Sequence, residues 1–278
     1  MPDAFAARVL AARRARGPLV LGLDPSAALL ASWGLADDAA GLEAFVDVAL
    51  AAAADSVGLI KPQSAFYERH GWRGMQALER LVREARATGL LVILDAKRGD
   101  IGTTNAAYAQ TYFGEGAPLA CDALTLSPYL GLGAMEPFFA AAGAAGGGLF
   151  VVVHSSNPEG RALQQAMSAT GRSVAASLLE EIGEHNARSA GTLGPIGAVV
   201  AAGAPREWDL PAMRGLFLVP GIGAQGATPQ DVVSTFSACP GRALPSASRS
   251  LLAAGPDPGR ISASARELSE RFGELLAD

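Results

Sequence analysis

The amino-acid sequence predicts a (β/α)8 barrel, a TIM barrel of the α/β class, from two observations. Short apolar runs typical of buried strands alternate with stretches that have the apolar spacing of helices. Such alternation indicates parallel strands joined by helical crossovers. It repeats eight times in 278 residues, which favours a closed barrel over an open, doubly wound sheet. No linker-like stretch divides the chain, so we expect a single domain over residues 1–278.

The expected elements follow one another in a regular order. The strands are predicted at residues 19–23, 57–60, 90–94, 121–126, 149–153, 196–201, 216–219 and, with the weakest pattern, 242–247. The helices are predicted at about residues 3–16, 41–54, 74–88, 103–113, 173–189, 228–237 and 261–276. The Ala- and Gly-rich stretch 137–153 lacks the length of a membrane span and is interpreted as a helix end, a loop and the fifth strand.

Several helices are marked by their ends as well as by their apolar spacing. The first should end at Gly17-Pro18, because neither residue continues a helix well. Gly89 suits the left-handed position that follows a helix, so it closes the helix at 74–88. Thr228 is a good N-cap and Pro229 is tolerated in a first turn, which places the start of the sixth predicted helix.

Composition excludes several classes of protein. The net charge is −5 without a basic block, so nucleic acid is not an expected partner. Residues 1–16 carry four arginines and lack the apolar run of a signal peptide, and no stretch predicts a membrane span. Cys121 and Cys239 do not have metal-ligand spacing, and two cysteines are too few for a disulfide framework. We therefore expect a cytoplasmic protein with reduced, structural cysteines.

The most informative stretch is residues 90–105. An apolar run ends there in Asp95, Lys97, Arg98 and Asp100. Because strand side chains alternate, Asp95 and Lys97 should share one face if the strand continues that far. Charges at the tip of a buried strand are costly unless they pair or act on a ligand. The simpler alternative is a solvated strand-to-helix turn with an incidental ion pair.

Other polar side chains also stand at or just after the predicted strand ends, and a barrel would gather them at one rim. They are Asp24, Lys61, Asp95, Lys97, Ser127 and Arg249. Active sites of this architecture lie at the carboxyl ends of the strands. The barrel hypothesis therefore converts scattered residues into one predicted site.

A glycine motif after the seventh strand predicts a phosphate site. Gly221, Gly223 and Gly226 satisfy the Gly-x-Gly-x-x-Gly pattern. A dinucleotide site is disfavoured, because the motif comes late and no acidic residue follows about 20 positions on. Loops after strands seven and eight of a barrel often bind phosphate, and Gln225 and Arg249 could donate to it. A plain glycine turn beside a solvated arginine is the alternative.

The sequence from Asp95 to Thr104, Asp-Ala-Lys-Arg-Gly-Asp-Ile-Gly-Thr-Thr, resembles the signature of the orotidine 5'-phosphate decarboxylase family. Its Gly-Thr-Thr end is similar to the longer bacterial, type 2 branch. Further matching pieces occur in the same order along the chain: Leu23-Asp24-Pro25, Ile60-Lys61-Pro62-Gln63, Ser127-Pro128-Tyr129, the segment Pro220 to Gly226, and Ser248-Arg249. The region 155–195 is the weakest match.

The resemblance implies conversion of orotidine monophosphate to uridine monophosphate and CO2 in de novo pyrimidine biosynthesis, without a metal or another cofactor. It implies that Lys97 delivers the proton and that Asp95 faces the substrate carboxylate. Asp24 and Lys61 would bind ribose and support the charged array. It also implies a homodimer in which Asp100 reaches into the site of the neighbouring subunit.

The remaining implied site residues bind the substrate. They are Ile101 and Thr104 beside Asp100, Ser127 at the pyrimidine, Gln225 and Arg249 at the phosphate, and Pro220, Gly226 and Ser248 elsewhere along the matching segments. Two alternatives stay open. One is a Mg²⁺-dependent decarboxylase of a keto-sugar phosphate on the same barrel, although such relatives need an acidic residue where Lys61 stands. The other is a non-catalytic nucleotide-binding or scaffold protein.

Overall fold

Eight parallel strands close into a barrel in chain order in the computed structural model, which describes residues 4–169, 171–189, 191–223 and 226–277. The strands are β1 Val20–Leu23, β2 Leu59–Pro62, β3 Leu91–Arg98, β4 Ala123–Leu126, β5 Gly148–His154, β6 Ile196–Val200, β7 Phe217–Val219 and β8 Ala243–Ala247. β1 pairs in parallel with both β2 and β8, which closes the barrel. The predicted TIM-barrel fold is confirmed.

Helices surround the barrel. They are α1 Phe5–Arg16, α2 Ala27–Ser32, α3 Ala39–Ala54, α4 Ala65–Glu68, α5 Gly71–Ala87, α6 Gly102–Phe113, α7 Glu136–Ala145, α8 Arg161–Gln164, α9 Val174–Asn186, α10 Pro229–Thr235, α11 Arg249–Leu252 and α12 Pro258–Leu275. The sequence pattern did not predict α2, α4, α8 and α11, because four to six residues are too few for an apolar period. Among the described residues, none of the helices is both long and apolar enough to cross a bilayer.

The core has two parts, one outside and one inside the strands. The larger part fills the space between the strands and the surrounding helices. The smaller part fills the barrel interior, where Val20, Leu59 and Ile93 meet Phe5 and Val9 of α1. The Phe5 ring lies edge-on to Phe150, with 6.0 Å between ring centroids. Helix α1 therefore closes the amino end of the barrel and leaves only the carboxyl end open to a ligand.

Strand β3 departs from regular geometry where its charged residues begin. Its register against β4 shifts between Leu94 and Arg98. Within this irregular stretch Lys97 has φ = 45°, in the left-handed region that residues with a Cβ seldom adopt. Bulges of this kind are common beside active sites, where they redirect a side chain. The irregularity lies at the open mouth of the barrel.

Candidate active site

A chain of alternating charges lies at the carboxyl ends of the first three strands. Asp95, only 6% exposed, holds two ammonium groups. Its Oδ1 lies 2.6 Å from Lys97 Nζ, and its Oδ2 lies 2.9 Å from Lys61 Nζ. On its other side, Lys61 Nζ lies 3.9 Å from Asp24 Oδ1. The structure thus brings together four residues that the sequence places at strand ends, in the order Asp24, Lys61, Asp95, Lys97.

The four charged side chains of this array stabilise one another's charges despite burial. Burial alone would raise the pKa of Asp95, but the positive charges of Lys61 and Lys97 outweigh it and hold that pKa well below its usual range. Burial alone would lower the pKa of Lys61, but the negative charges of Asp95 and Asp24 outweigh it and raise that pKa. Asp95 and Lys61 are therefore both charged at neutral pH.

The two lysines differ in access. The Lys61 side chain is 8% exposed, whereas the Lys97 side chain is 48% exposed. Both line a cavity of about 290 Å³ in the barrel mouth. Lys61 is fixed between two carboxylates. Lys97 pairs with one carboxylate, and its half-exposed side chain lines the cavity. Lys97 is therefore the ammonium that can meet a bound molecule.

The cavity contains seven of the predicted site residues: Asp24, Lys61, Asp95, Lys97, Pro220, Ser248 and Arg249. Two of its buried oxygens, Asp24 Oδ1 and Ser248 Oγ, make no hydrogen bond within the described part of the chain. Buried polar atoms normally have hydrogen-bond partners. These two oxygens without a hydrogen bond belong to residues that line the cavity.

The rim on the far side of the cavity from β3 is built from the segment after β7 and from the residues after β8. Gly221 and Gly223 have φ values of 88° and 74°, so this turn requires residues that tolerate the left-handed region. Arg249 follows β8 and lines the same cavity. Gly226 lines an adjoining cavity of about 490 Å³ instead. Gln225 lies outside the described residues.

The adjoining cavity also contains His154, which ends β5. The imidazole packs edge-on against Trp208, with 5.5 Å between ring centroids. Burial lowers the pKa of His154, so the ring is neutral at pH 7. His154 does not line the cavity that holds the charged residues.

Besides Gly226, four predicted site residues within the described part of the chain do not line this cavity: Asp100, Ile101, Thr104 and Ser127. The Asp100 carboxylate accepts a hydrogen bond of 2.8 Å from the Ile101 amide. The Ile101 side chain is 60% exposed. This segment at the start of α6 therefore faces outward from the barrel mouth.

The cavity also contains polar residues that the sequence reasoning did not select. Ser155, Ser156 and Asn157 follow β5 and line it, whereas Ser127 after β4 does not. Their signal was the same strand-end position that selected Ser127. Gln63 and Ser246 also line the cavity, at the ends of β2 and β8.

Comparisons with known proteins show the family to which the chain belongs. The model of the family described as orotidine 5'-phosphate decarboxylase / HUMPS matches residues 17–264. The chain belongs to this family. An orotidine 5'-phosphate decarboxylase of Salinispora arenicola is 49% identical over 264 residues, covering 95% of each chain. The orotidine 5'-phosphate decarboxylase of Streptomyces coelicolor is 51% identical, covering 92% of each.

Solved structures of the orotidine 5'-phosphate decarboxylase family share the fold along the whole chain. A Streptomyces avermitilis structure, provisionally described as such a decarboxylase, has a TM-score of 0.94 and 45% identity and covers 99% of this chain and 97% of its own. The orotidine monophosphate decarboxylase of Leishmania donovani has a TM-score of 0.77 and 30% identity, covering 99% of each chain. Neither comparison assigns a role to an individual residue of this chain.

Proposed function

We propose that this chain decarboxylates orotidine monophosphate to uridine monophosphate, with Lys97 as the proton donor. The observation that carries the proposal is the Lys97 ammonium, held 2.6 Å from the buried Asp95 carboxylate and open to the cavity. Family membership and the curated relatives support the substrate and its place in pyrimidine biosynthesis.

The charged array suits the chemistry of this reaction. Breaking the bond between C6 and the carboxylate releases CO2 and leaves an electron pair on C6, with no neighbouring carbonyl group to delocalise it. A fixed ammonium stabilises that developing charge without reorganisation. Lys97 then gives its proton to C6, forming the C6–H bond of the product, and recovers a proton from solvent. Asp95 and Lys61 keep Lys97 in place throughout.

A direct test compares the wild-type chain with Lys97→Ala in an absorbance assay with orotidine monophosphate. We expect turnover to fall at least about 10⁴-fold, because both charge stabilisation and proton transfer are lost. The fold should survive, since the Lys97 side chain is half exposed. Near-normal turnover in the variant would refute the assignment of Lys97.

The phosphate of the substrate is proposed to lie between Arg249 and the turn at Gly221. Binding energy from a remote phosphate can lower the barrier when it helps to organise the charged array. Arg249→Ala should raise KM at least about tenfold, because a charge-assisted contact is lost. Arg206→Ala is the matched control, since Arg206 bonds the exposed Ser234 at 3.2 Å. An unchanged KM for Arg249→Ala would contradict the phosphate role.

Asp100 is proposed to act in the site of a second subunit. Exposed apolar side chains accompany it on the loops of this rim: Ile101 is 60% exposed, Tyr129 76% and Leu130 51%. Three such residues favour an interface between two copies of the chain. Chains carrying Lys97→Ala and Asp100→Ala, each inactive alone, should regain activity when mixed. No recovery on mixing, with both variants folded, would exclude a shared site.

Ser155 and Ser156 are proposed to supply hydroxyl groups to the pyrimidine, the role that the resemblance gave to Ser127. Their position in the cavity lining supports this change. We also propose that the protein works in the cytoplasm, which suits its two unpaired cysteines.

The alternative within this fold, a Mg²⁺-dependent decarboxylase of a keto-sugar phosphate, is disfavoured by Lys61. Its ammonium lies between Asp24 and Asp95, where it neutralises the carboxylates that a cation would otherwise bind. Activity with orotidine monophosphate should therefore be unchanged by EDTA. Loss of activity in EDTA, restored by Mg²⁺, would favour the alternative.

A further inference from the structure

Thr125 contacts both the backbone and the side-chain part of the charged array. It lies in the middle of β4 and is fully buried. Its Oγ1 accepts a hydrogen bond of 2.9 Å from the Lys97 backbone amide. The same hydroxyl donates a hydrogen bond of 2.9 Å to Asp95 Oδ1. Because a hydroxyl has a single proton, the bond accepted from Lys97 fixes the direction in which that proton points.

The Lys97 backbone needs such a partner because it has left the sheet ladder. The register between β3 and β4 shifts at this point, and Lys97 has φ = 45°. A left-handed residue with a Cβ is unfavourable, and it persists only when its surroundings enforce it. The Thr125 side chain replaces the ladder acceptor that the bulge removes. The hydrogen bond from the Lys97 amide to Thr125 Oγ1 thus acts as a brace on the strained residue.

Asp95 Oδ1 connects this brace to the Lys97 ammonium. It accepts from Thr125 Oγ1 and from Lys97 Nζ, at 2.9 Å and 2.6 Å. The other oxygen of Asp95 is held by Lys61, and the Asp95 carbonyl accepts from the Ser64 amide at 3.1 Å. Asp95 would therefore stay in place without Thr125, whereas Lys97 would lose the bond that fixes its backbone.

We propose that Thr125 is a positioning residue that fixes the Lys97 backbone in its left-handed conformation and so aims the Lys97 ammonium from Asp95 into the cavity. This inference rests on the proposed decarboxylation, because it assigns an effect on the step that Lys97 performs. Thr125 does not line the cavity. It acts on turnover rather than on substrate binding.

Three variants test the proposal with orotidine monophosphate: Thr125→Val, which keeps the shape but removes the hydroxyl, Thr125→Cys, of similar volume with a poor hydrogen-bonding group, and Thr125→Ser, which keeps the hydroxyl. We expect kcat to fall at least about tenfold in Thr125→Val and in Thr125→Cys, with KM within about twofold of the wild type. Thr125→Ser should recover kcat to within about threefold of the wild type. Melting temperatures and binding of uridine monophosphate report whether each variant is folded.

Thr235→Val is the matched control. Thr235 Oγ1 also accepts a backbone amide from another segment, that of Gly203 at 2.9 Å, but it lies on the surface away from the array. Its kcat should stay within about twofold of the wild type. A folded Thr125→Val or Thr125→Cys with kcat that close to wild type would overturn the proposal, as would an equal loss in Thr125→Ser. A wild-type chain without activity would instead refute the proposed function itself.

Discussion

Each end of the barrel has a buried carboxylate that holds two cations, and the two ends differ in which cations these are. At the open end, Asp95 holds the ammonium groups of Lys61 and Lys97 at 2.9 and 2.6 Å. At the closed end, Asp122, just before β4, holds Arg8 Nη1 at 2.5 Å and Arg86 Nε at 3.6 Å. Both carboxylates are less than a tenth exposed.

The two clusters share one arrangement of charges, but one has a structural role and the other a chemical role. Asp122 also accepts the Val92 amide at 2.9 Å, and Arg8 also donates to the Gly146 carbonyl at 3.0 Å. The pairing of Asp122 with Arg8 therefore ties α1 to the strand ends that α1 covers. Arginine keeps its proton at any accessible pH, so this cluster cannot transfer one. A lysine can, and the lysine cluster lines the cavity in the barrel mouth.

Placing an arginine at the open end, as at the closed end, should strongly reduce turnover. Lys97→Arg keeps a positive charge beside Asp95 but removes the transferable proton. We expect kcat to fall at least about 10²-fold, since general acid catalysis contributes that much or more. Thermal unfolding should change little. The absorbance assay with orotidine monophosphate gives kcat.

Comparing Lys97→Arg with Lys97→Ala separates the contribution of charge stabilisation to turnover from that of proton transfer. If Lys97→Arg retains more activity than Lys97→Ala, charge stabilisation contributes independently of proton transfer. A fully active Lys97→Arg chain would show that Lys97 is not the proton donor.

Removing the carboxylate at the closed end should instead reduce stability. Asp122→Ala removes the carboxylate that pairs with Arg8 and Arg86 and that accepts the Val92 amide. Breaking a buried ion pair costs about 3–5 kcal/mol, and partial exposure of the arginines reduces this to about 2–3 kcal/mol. Chemical denaturation measures the loss in the free energy of unfolding. Turnover per folded molecule should be unchanged, and a selective loss of turnover would contradict the separation of the two ends.

Sequence reasoning succeeded where position along a strand decides the outcome. Asp24, Lys61, Asp95, Lys97 and Arg249 were all found because they stand at strand ends, and a parallel barrel gathers those ends at one rim. The eight strands themselves were predictable for the related reason that buried parallel strands are apolar throughout.

The same rule could not tell which strand-end residues turn inward. The Ser127 amide donates to the Arg98 carbonyl at 2.8 Å, so Ser127 continues along the irregular end of β3 and does not reach the cavity. Ser155 follows a different strand and does line it. Thr125 was missed because its role depends on the bulge in β3, which the sequence does not mark. Asp122 and Arg8, 114 residues apart, meet only once the barrel has closed.

Acid should affect the open end in a defined direction. The pKa of Asp95 is lowered in the folded chain, because the two lysines outweigh the effect of burial. Asp95 therefore contributes stability that is complete above the ordinary carboxyl pKa of about 4 and is lost as pH falls toward its folded pKa. The wild type should exceed Asp95→Asn in free energy of unfolding at pH 7, and the difference should shrink below about pH 4. Denaturant titrations of both chains between pH 3 and pH 7 measure this. A constant difference over that range would contradict the assigned pairing.

A third cation cluster, on the surface, should have the smallest effect. Arg80 on α5 contacts three carboxylates, with Nη1 2.5 Å from Glu43 and Nε 3.0 Å from Glu84, and also pairs with Asp47. The side chains of Glu43, Glu84 and Asp47 are 39%, 40% and 62% exposed. Solvent screens such pairs, so Arg80→Met should cost about 1 kcal/mol or less in free energy of unfolding despite having more partners than Arg8. Because salt screens exposed charges further, the cost should shrink toward zero in 1 M NaCl, while the cost of Asp122→Ala should persist. Equal costs for the two variants, at either salt concentration, would show that burial does not separate these clusters.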